Sequence, residues 1–333
     1  MILDRIRQAR AKITYNGQDI TTSLETRTGS FTYTDPDSGE SDSCSLTVYD
    51  PDDKWLGGMF PNKGDKLSAQ IAVQDWKFQG DNRALDCGIF VIDDPSFSFP
   101  PMQVAFKGVS QPADTDFTER ERTQTWENVT VQNMASEIAG RYGLALQYTA
   151  DEVKIDSLEQ SGATDSAFLK STCDKYGLGL KIYSQRIVIF DKQTYKDKPA
   201  VLTIDKGEMT GGSFTDTLAG TYTGGKMKYK AAKDGKDLEA QVGTDKRLLS
   251  VNGKADSQAD AEKQIKAAVN KANEDATKMT VRIPGNPNIC STQCVNITGL
   301  GKANGKYYVR KVTHTIGSKY ETSLDLFKVQ PSL

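Results

Sequence analysis

The chain has 333 residues, 37% of them hydrophobic, with Lys+Arg 42 against Asp+Glu 44 and a formal net charge of −2. That balance counts against a nucleic-acid binder, which needs a basic face to displace counterions. No apolar run approaches the roughly 18 residues that would cross a bilayer, and the length suggests two or three folded domains.

In chain order, Met1–Arg10 is basic and amphipathic and reads as an arm or a short helix. It lacks the apolar core of a signal peptide, so folding in the cytoplasm is expected. Residues 1–100 then read as β. Lys12–Tyr15, Asn16-Gly17 and Gln18–Ile20 form a hairpin signal, since Asn-Gly suits a tight primed turn. Phe31–Thr34, Ser43–Tyr49, Lys66–Val73 and Gly88–Ile92 follow as short strands, with a helical or irregular piece between Pro51 and Phe60 carrying Trp55 and Leu56. Such spacing suggests a barrel or sandwich, to which Gln103–Lys107 can also belong.

Residues 101–200 change pattern. Thr130 can cap a helix with Val131, Met134, Ala135, Ile138 and Tyr142 on one side, ending at Gly143, with Leu144–Tyr148 as the next strand. Thr164 can cap a second helix ending at Gly177, followed by Leu178–Tyr183 and Arg186–Phe190. Each glycine stands where a helix stops on a left-handed residue. These two helix-strand units make an α+β middle domain, without a glycine-rich phosphate loop.

Residues 201–333 contain a helix expected over 257–278, capped by Asp256 or Ser257, with Ala261, Ile265, Ala268, Ala272, Ala276 and Met279 along one narrow stripe. So little apolar bulk calls for a sheet at close range or a second subunit. Met279–Ile283 reads as a strand stopped by Pro284-Gly285-Asn286-Pro287, and Cys294–Ile297 as another. Lys306–Ile316 and Tyr320–Phe327 close the chain as a hairpin. Gly88–Ile92 with Gln103–Lys107 looks like a shorter copy of Gly305–Val309 with Ser323–Lys328, which suggests a duplication.

Catalytic signals are thin. Five scattered cysteines, Cys44, Cys87, Cys173, Cys290 and Cys294, are not a disulfide framework, and with His314 as the single histidine no zinc ligand set forms. His314 sits in an alternating strand where packing explains it better than catalysis. Asp35/Asp37, Asp50/Asp52/Asp53 and Asp93-Asp94 read as turn carboxylates rather than a glycosidase pair. Asp35–Asp42 lacks the ligand spacing of a calcium loop. No cofactor or metal is expected.

The order of several weak motifs nevertheless resembles one family: the baseplate hub, or late-control, proteins of contractile phage tails, similar to the hub part of the type VI secretion spike protein. The motifs are Gly39–Asp42, Pro61–Asp65, Thr164–Leu169 with Tyr176–Leu178, the Ala-rich helix, Ile283–Pro287, Tyr307–Val309, and Val312–His314 with Thr322–Leu324. The resemblance implies a mainly β, α+β chain with two tube-protein-like β-barrels flanking the middle domain. It also implies a homotrimer whose six barrels join a sixfold tail tube protein to a threefold spike or tip protein, beside a tape-measure protein and other baseplate proteins. Neither a fused lysozyme domain nor a spike repeat is evident, so a non-enzymatic virion component is expected. Ile265, Ala268, Ala272 and Ala276 are the candidate oligomer contacts. Two other classes stay open: a tail-associated cell-wall hydrolase or peptidase, and a carbohydrate-binding β-module using Trp76, Trp126 and Tyr195.

Overall fold

The structure, a computed structural model, describes residues 7–24, 27–112, 116–230 and 237–331. Met1–Ile6 of the expected arm lie outside them, and the rest of that segment is not helical but opens the first strand, β1 (Gln8–Tyr15). Asn16 and Gly17 both have positive φ, 46° and 83°, and turn β1 into the short β2 (Gln18–Asp19). The one-turn helix α1 (Thr21–Leu24) follows, then β3 (Thr28–Pro36) and β4 (Ser43–Tyr49). The short helix α2 (Lys54–Gly57) buries Trp55, because the Asp50 carboxylate accepts from the Trp55 and Leu56 amides. After it come β5 (Lys66–Gln74), β6 (Arg83–Ile92), β7 (Ser96–Ser98) and β8 (Gln103–Val109). Alternating residues of these strands, such as Phe31, Leu46, Leu67, Ile71, Phe90 and Phe106, fill the first barrel core.

The middle unit opens with α3 (Asp116–Glu119) and β9 (Glu121–Thr130). Next are α4 (Val131–Arg141), β10 (Ala145–Thr149), β11 (Lys154–Thr164), α5 (Asp165–Lys175), β12 (Leu178–Tyr183), β13 (Arg186–Asp191) and α6 (Lys192–Asp197). Thr130 and Thr164 cap α4 and α5 as the sequence suggests, and Gly143 and Gly177 take φ of 63° and 72° where those helices stop. The long antiparallel pair β9–β11 has no counterpart in the sequence reading.

The last third contains β14 (Leu202–Asp205), β15 (Gly211–Asp216), β16 (Gly224–Lys230), β17 (Asp237–Gly243) and β18 (Leu248–Val251). It continues with α7 (Gln258–Asn273), β19 (Thr277–Pro284), β20 (Cys294–Thr298), β21 (Gly305–Ile316) and β22 (Tyr320–Lys328). The Ser257 side chain caps α7 by accepting from Asp260 N. The helix ends five residues short of the expected 278, because Thr277 already pairs with Asp216 in the next ladder.

α7 does not lie on the barrel. With β16, β17 and β18 it forms a separate inserted layer, whose core holds Met227, Tyr229, Ala240, Ile265 and Val269. Gly225 lets the helix come this close: a Cβ there would meet both Ile265 Cγ2 and Val269 Cγ2 at 2.8 Å.

Outside the middle unit and this layer, the strands form two barrels with one plan. In the first, the hydrogen-bonded order is β3-β4-β8-β6-β5-β1; in the second it is β15-β19-β22-β21-β20-β14. Ranked by position in the chain the two orders are identical, strand for strand. They differ at the last pair, antiparallel for β5–β1 and parallel for β20–β14. The duplication suggested by the two hairpins thus extends to whole barrels. Both belong to one sheet of 14 strands among the described residues. The chain is α+β and mainly β, with two β-barrels flanking a small α+β unit.

Candidate functional site: the joint between the barrels

Strand β21 fuses the barrels. Its first half pairs with β20, Gly305 to Tyr308 facing Ile297 to Cys294, and its second half pairs with β3, Lys311 to Ile316 facing Pro36 to Phe31. The switch falls on a bulge: Val309 faces Leu326 and Lys311 faces Asp325, leaving Arg310 as the extra residue. A bulge bends its strand and increases local twist, which lets one strand serve two cores. Accordingly Tyr307 and Val309 belong to the second core, whereas Ile316 and Tyr320 at the far end belong to the first.

Around this switch lies a buried polar joint built from all three units. Lys181, on β12 of the middle unit, inserts its ammonium between Asp35 at the end of β3 and Asp42 just before β4. Lys181 Nζ hydrogen-bonds to Asp35 Oδ1 and lies 2.9 Å from Asp42 Oδ1 and 3.1 Å from the Pro36 carbonyl. From the second barrel, Ser291 donates to Asp35 through its amide at 2.8 Å and its hydroxyl at 2.6 Å. Tyr33 OH donates to Asp42 Oδ2 at 2.6 Å. Burial opposes the charge on Lys181, but Asp35 and Asp42 outweigh it and hold its pKa above the ordinary lysine value. Burial, reinforced by Asp35 and opposed by Lys181, pushes the Asp42 carboxyl up to about 7.

His314 stands next to this joint, facing Tyr33 across the β21–β3 ladder with the two rings stacked at 6.2 Å. It is fully buried, and its ring nitrogens contact Tyr320 OH at 2.9 Å, Thr322 Oγ1 at 3.2 Å and the Ile289 carbonyl at 3.1 Å. Burial lowers its pKa to about 4, so near neutrality it is an uncharged packing residue, as its place in an alternating strand suggests.

A second polar cluster ties α6 and the end of α7 to the same switch. Lys196 pairs with Glu274 at 2.7 Å, Arg310 with Asp275 at 2.9 Å, and the Asp37 amide donates to the Arg310 carbonyl at 2.7 Å. Burial raises the pKa of Asp37, against the pull of Lys192.

Several expectations are corrected by this geometry. Of the expected turn carboxylates, Asp37 stands in a bend but Asp35 lies in β3, and both are buried, 3% exposed for Asp35 and 5% for Asp37, as is Asp42 of the same run at 0%. Lys181 fills the space between Asp35 and Asp42 that a cation would take, and a substrate cannot reach two carboxylates buried this way. Trp126 is 3% exposed and stacks on Phe168, so it is no sugar platform. Trp76 donates to the Gly285 carbonyl at 2.6 Å, and Tyr195 packs 4.7 Å from Phe190.

Of the candidate contact residues on the helix, Ile265 is wholly inside the α7 layer and is not a surface contact. Ala276 is buried beyond the end of the helix. Ala268 and Ala272 are half-buried, and Ala268 lines a cleft of about 520 Å³ between α7 and the middle unit with Leu158 and Lys175. The structure therefore does not gather these four residues into one patch. Lys181 was missed: the one available signal was a lysine inside the apolar run Leu178–Tyr183, and its partners lie about 140 residues away in sequence.

No protein-family model matches the chain. In sequence it is similar to the "Probable baseplate hub protein" of Escherichia phage 186, 25% identical over 237 residues, which cover 69% of this chain. The match spans 58% of that relative's length. In fold it is similar to the 43 kDa tail protein of prophage MuSo2 from Shewanella oneidensis, with TM-score 0.72, 11% identity and coverage of 96% of this chain and 98% of the other. A tail protein from Neisseria meningitidis gives TM-score 0.73 at 12% identity, with 96% of each chain covered. An Escherichia coli component of the type VI secretion system gives TM-score 0.60 at 9% identity over 98% of this chain and 77% of that one. The resemblance read from the sequence, to the baseplate hub proteins of phage tails and the hub part of the type VI spike, is borne out by these relatives.

Proposed function

We propose that the chain is a structural, non-enzymatic hub of a phage or phage-like tail baseplate. Three copies form a ring of six barrels that joins a sixfold tail tube to a threefold spike or tip protein. The observation that carries this reading is the fused pair of barrels of like topology: each chain contributes two equivalent wall segments, so three chains present six. A sheet that ends in free edges is a liability for a monomer, and closing it into a ring removes the edges. Support also comes from the phage 186 relative, described as a baseplate hub protein, and from the tail-protein folds. The buried ionic joint suits a part that transmits load, because it locks barrels and middle unit into one body.

The tube protein, the spike and neighbouring baseplate or tape-measure proteins are the expected partners, and the tail of a virion or virion-like particle is the expected location. Ala268 and Ala272 remain candidates for a lesser contact between copies, away from the barrel edges. Light scattering on the purified chain tests the assembly: a mass of three chains is expected, with six-lobed rings in particle images. A chain that stays monomeric both alone and with its tube and spike proteins would sink the reading.

A further inference from the structure

The like topology of the barrels can be carried down to single residues. In the second barrel the bulge at Arg310 sets the register between β21 and β22. In the first barrel β6 and β7 form one interrupted strand along β8. Ile92 faces Gly108 and Ser96 faces Ala105, and the amides of Asp93 and Asp94 both point at the Lys107 carbonyl, at 3.0 and 3.4 Å. This is the same one-residue bulge at the same place. Counting outward from it, Ile92 matches Val309, Asp93 matches Arg310 and Phe97 matches His314. Counting back, Gly88 matches Gly305, the pair singled out in the sequence.

The other side of the barrel follows by register. Gly108 and Leu326 are equivalent neighbours of the two bulges; Cys44 faces Gly108 and Met279 faces Leu326. Tyr33 faces Cys44 and Phe214 faces Met279. Phe214 on β15 is therefore the counterpart of Tyr33 on β3.

Within the chain, the segment Lys311–Ile316 is paired with β3, and His314 lies opposite Tyr33. Their counterparts, β7 and β15, have no such partner: among the described residues β7 pairs only with β8, and β15 only with β19. Both free strands carry an exposed aromatic residue, Phe97 at 50% on β7 and Phe214 at 41% on β15, and Phe99, just past the end of β7, is 70% exposed. Phe214 is exposed although it lies on the same face as buried Met279.

We infer that β15 of one copy pairs antiparallel with the Ser96–Phe99 edge of the next copy, repeating between chains the β21–β3 junction seen within one. The register sets Phe97 opposite Phe214, Ser98 opposite Ser213, and Phe99 opposite Gly212, where its ring covers a residue without a side chain. Pro95 has no N–H to give, so the ladder runs from Ser96 to Phe99. The contact is heterologous, joining different edges of successive copies, and such contacts form a ring when the rotation between copies closes, here after three. This inference rests on the hub reading and specifies the seam that the reading requires.

The test is a cysteine pair in register, Ser98→Cys with Ser213→Cys, both exposed positions at which the substitution adds no bulk. Directly opposed strand residues lie within disulfide reach, whereas a two-residue offset does not. Mass is measured by light scattering on the same samples. The expected result is covalent dimers and trimers on mild oxidation of the double variant, and several-fold less cross-linking for either single variant or for Ser98→Cys with Thr215→Cys. A trimer that fails to cross-link in register overturns this seam and leaves the hub reading standing. A chain that stays monomeric at high micromolar concentration and does not cross-link overturns the seam, and the hub reading is then judged on its mass with tube and spike proteins. Phe214→Asp gives an independent readout: the expected loss is of trimer mass with the monomer's circular dichroism unchanged, and an unaltered trimer contradicts the inference.

Discussion

Lys181 neutralises two carboxylates from another unit of the chain, and removing it leaves both without their cation. Breaking a buried ion pair by deleting one partner costs about 3–5 kcal/mol, so Lys181→Met should lower stability to urea by that order. Asp35→Asn and Asp42→Asn, added together, should recover much of the loss; no recovery would mean that Lys181 contributes mainly by packing. Two other buried groups in the joint give opposite pH signatures. His314 has a pKa depressed from 6.5 to about 4, so the stability it contributes is present above 6.5 and is lost as pH falls through 4. At about 1.4 kcal/mol per unit this amounts to about 3 kcal/mol. Asp42, raised from 3.8 to about 7, acts in reverse: its contribution is full below 3.8 and is lost as pH rises through 7. Asp42→Asn removes the opposing contribution, so the variant should lose stability more steeply than the parent between pH 7 and 4. Denaturant titrations at a series of pH values check this, and parallel curves would contradict it.

Among the elements, α4 and α5 were legible in the sequence because their ends are set locally, by a threonine cap and a left-handed glycine. The pair β9–β11 was not legible: most of its side chains face solvent, and runs such as Glu121-Arg122-Thr123-Gln124 carry no apolar alternation to reveal a strand. α7 was legible as a helix, and Ala261 and Ile265 of the expected stripe are on its buried face, but beyond them the row was followed one residue off. The stripe through Ala268, Ala272 and Ala276 continues one helical row, whereas the layer beneath takes Ala261, Ile265 and Val269, with Gln264 donating to the Lys254 carbonyl. Gly225 beneath the helix decides this, and a glycine in a strand gives no advance notice of what it admits. Gly225→Ala should push Ile265 and Val269 outward and cost about 1–3 kcal/mol. Since β16, β17 and β18 form a sheet of their own and do not pair with β7 or β15, the mass of the assembly should stay unchanged. Thermal unfolding and light scattering on one preparation measure both, and a variant that dissociates before it unfolds would place α7 at the seam instead.

For the molecule as a whole, the sequence revealed one pair of hairpins and, through a set of weak motifs in order, a family. It could not reveal that both barrels share a strand, because nothing in Gly305–Ile316 announces a change of partner at Arg310. Partner choice there depends on β3, some 275 residues earlier, and on the lysine and serine that hold Asp35 in place. The fused sheet, its matched bulges and its free edges are the physical grounds for the proposed ring of six barrels. Image reconstruction of an assembled tail containing this chain tests that claim most directly. The account predicts six barrel densities in one layer between tube and spike, related in pairs by a threefold axis, with adjoining barrels of different chains joined as β3 and β21 are joined within one. Density for a single copy, or for copies attached outside the tube without strand contact, would contradict it.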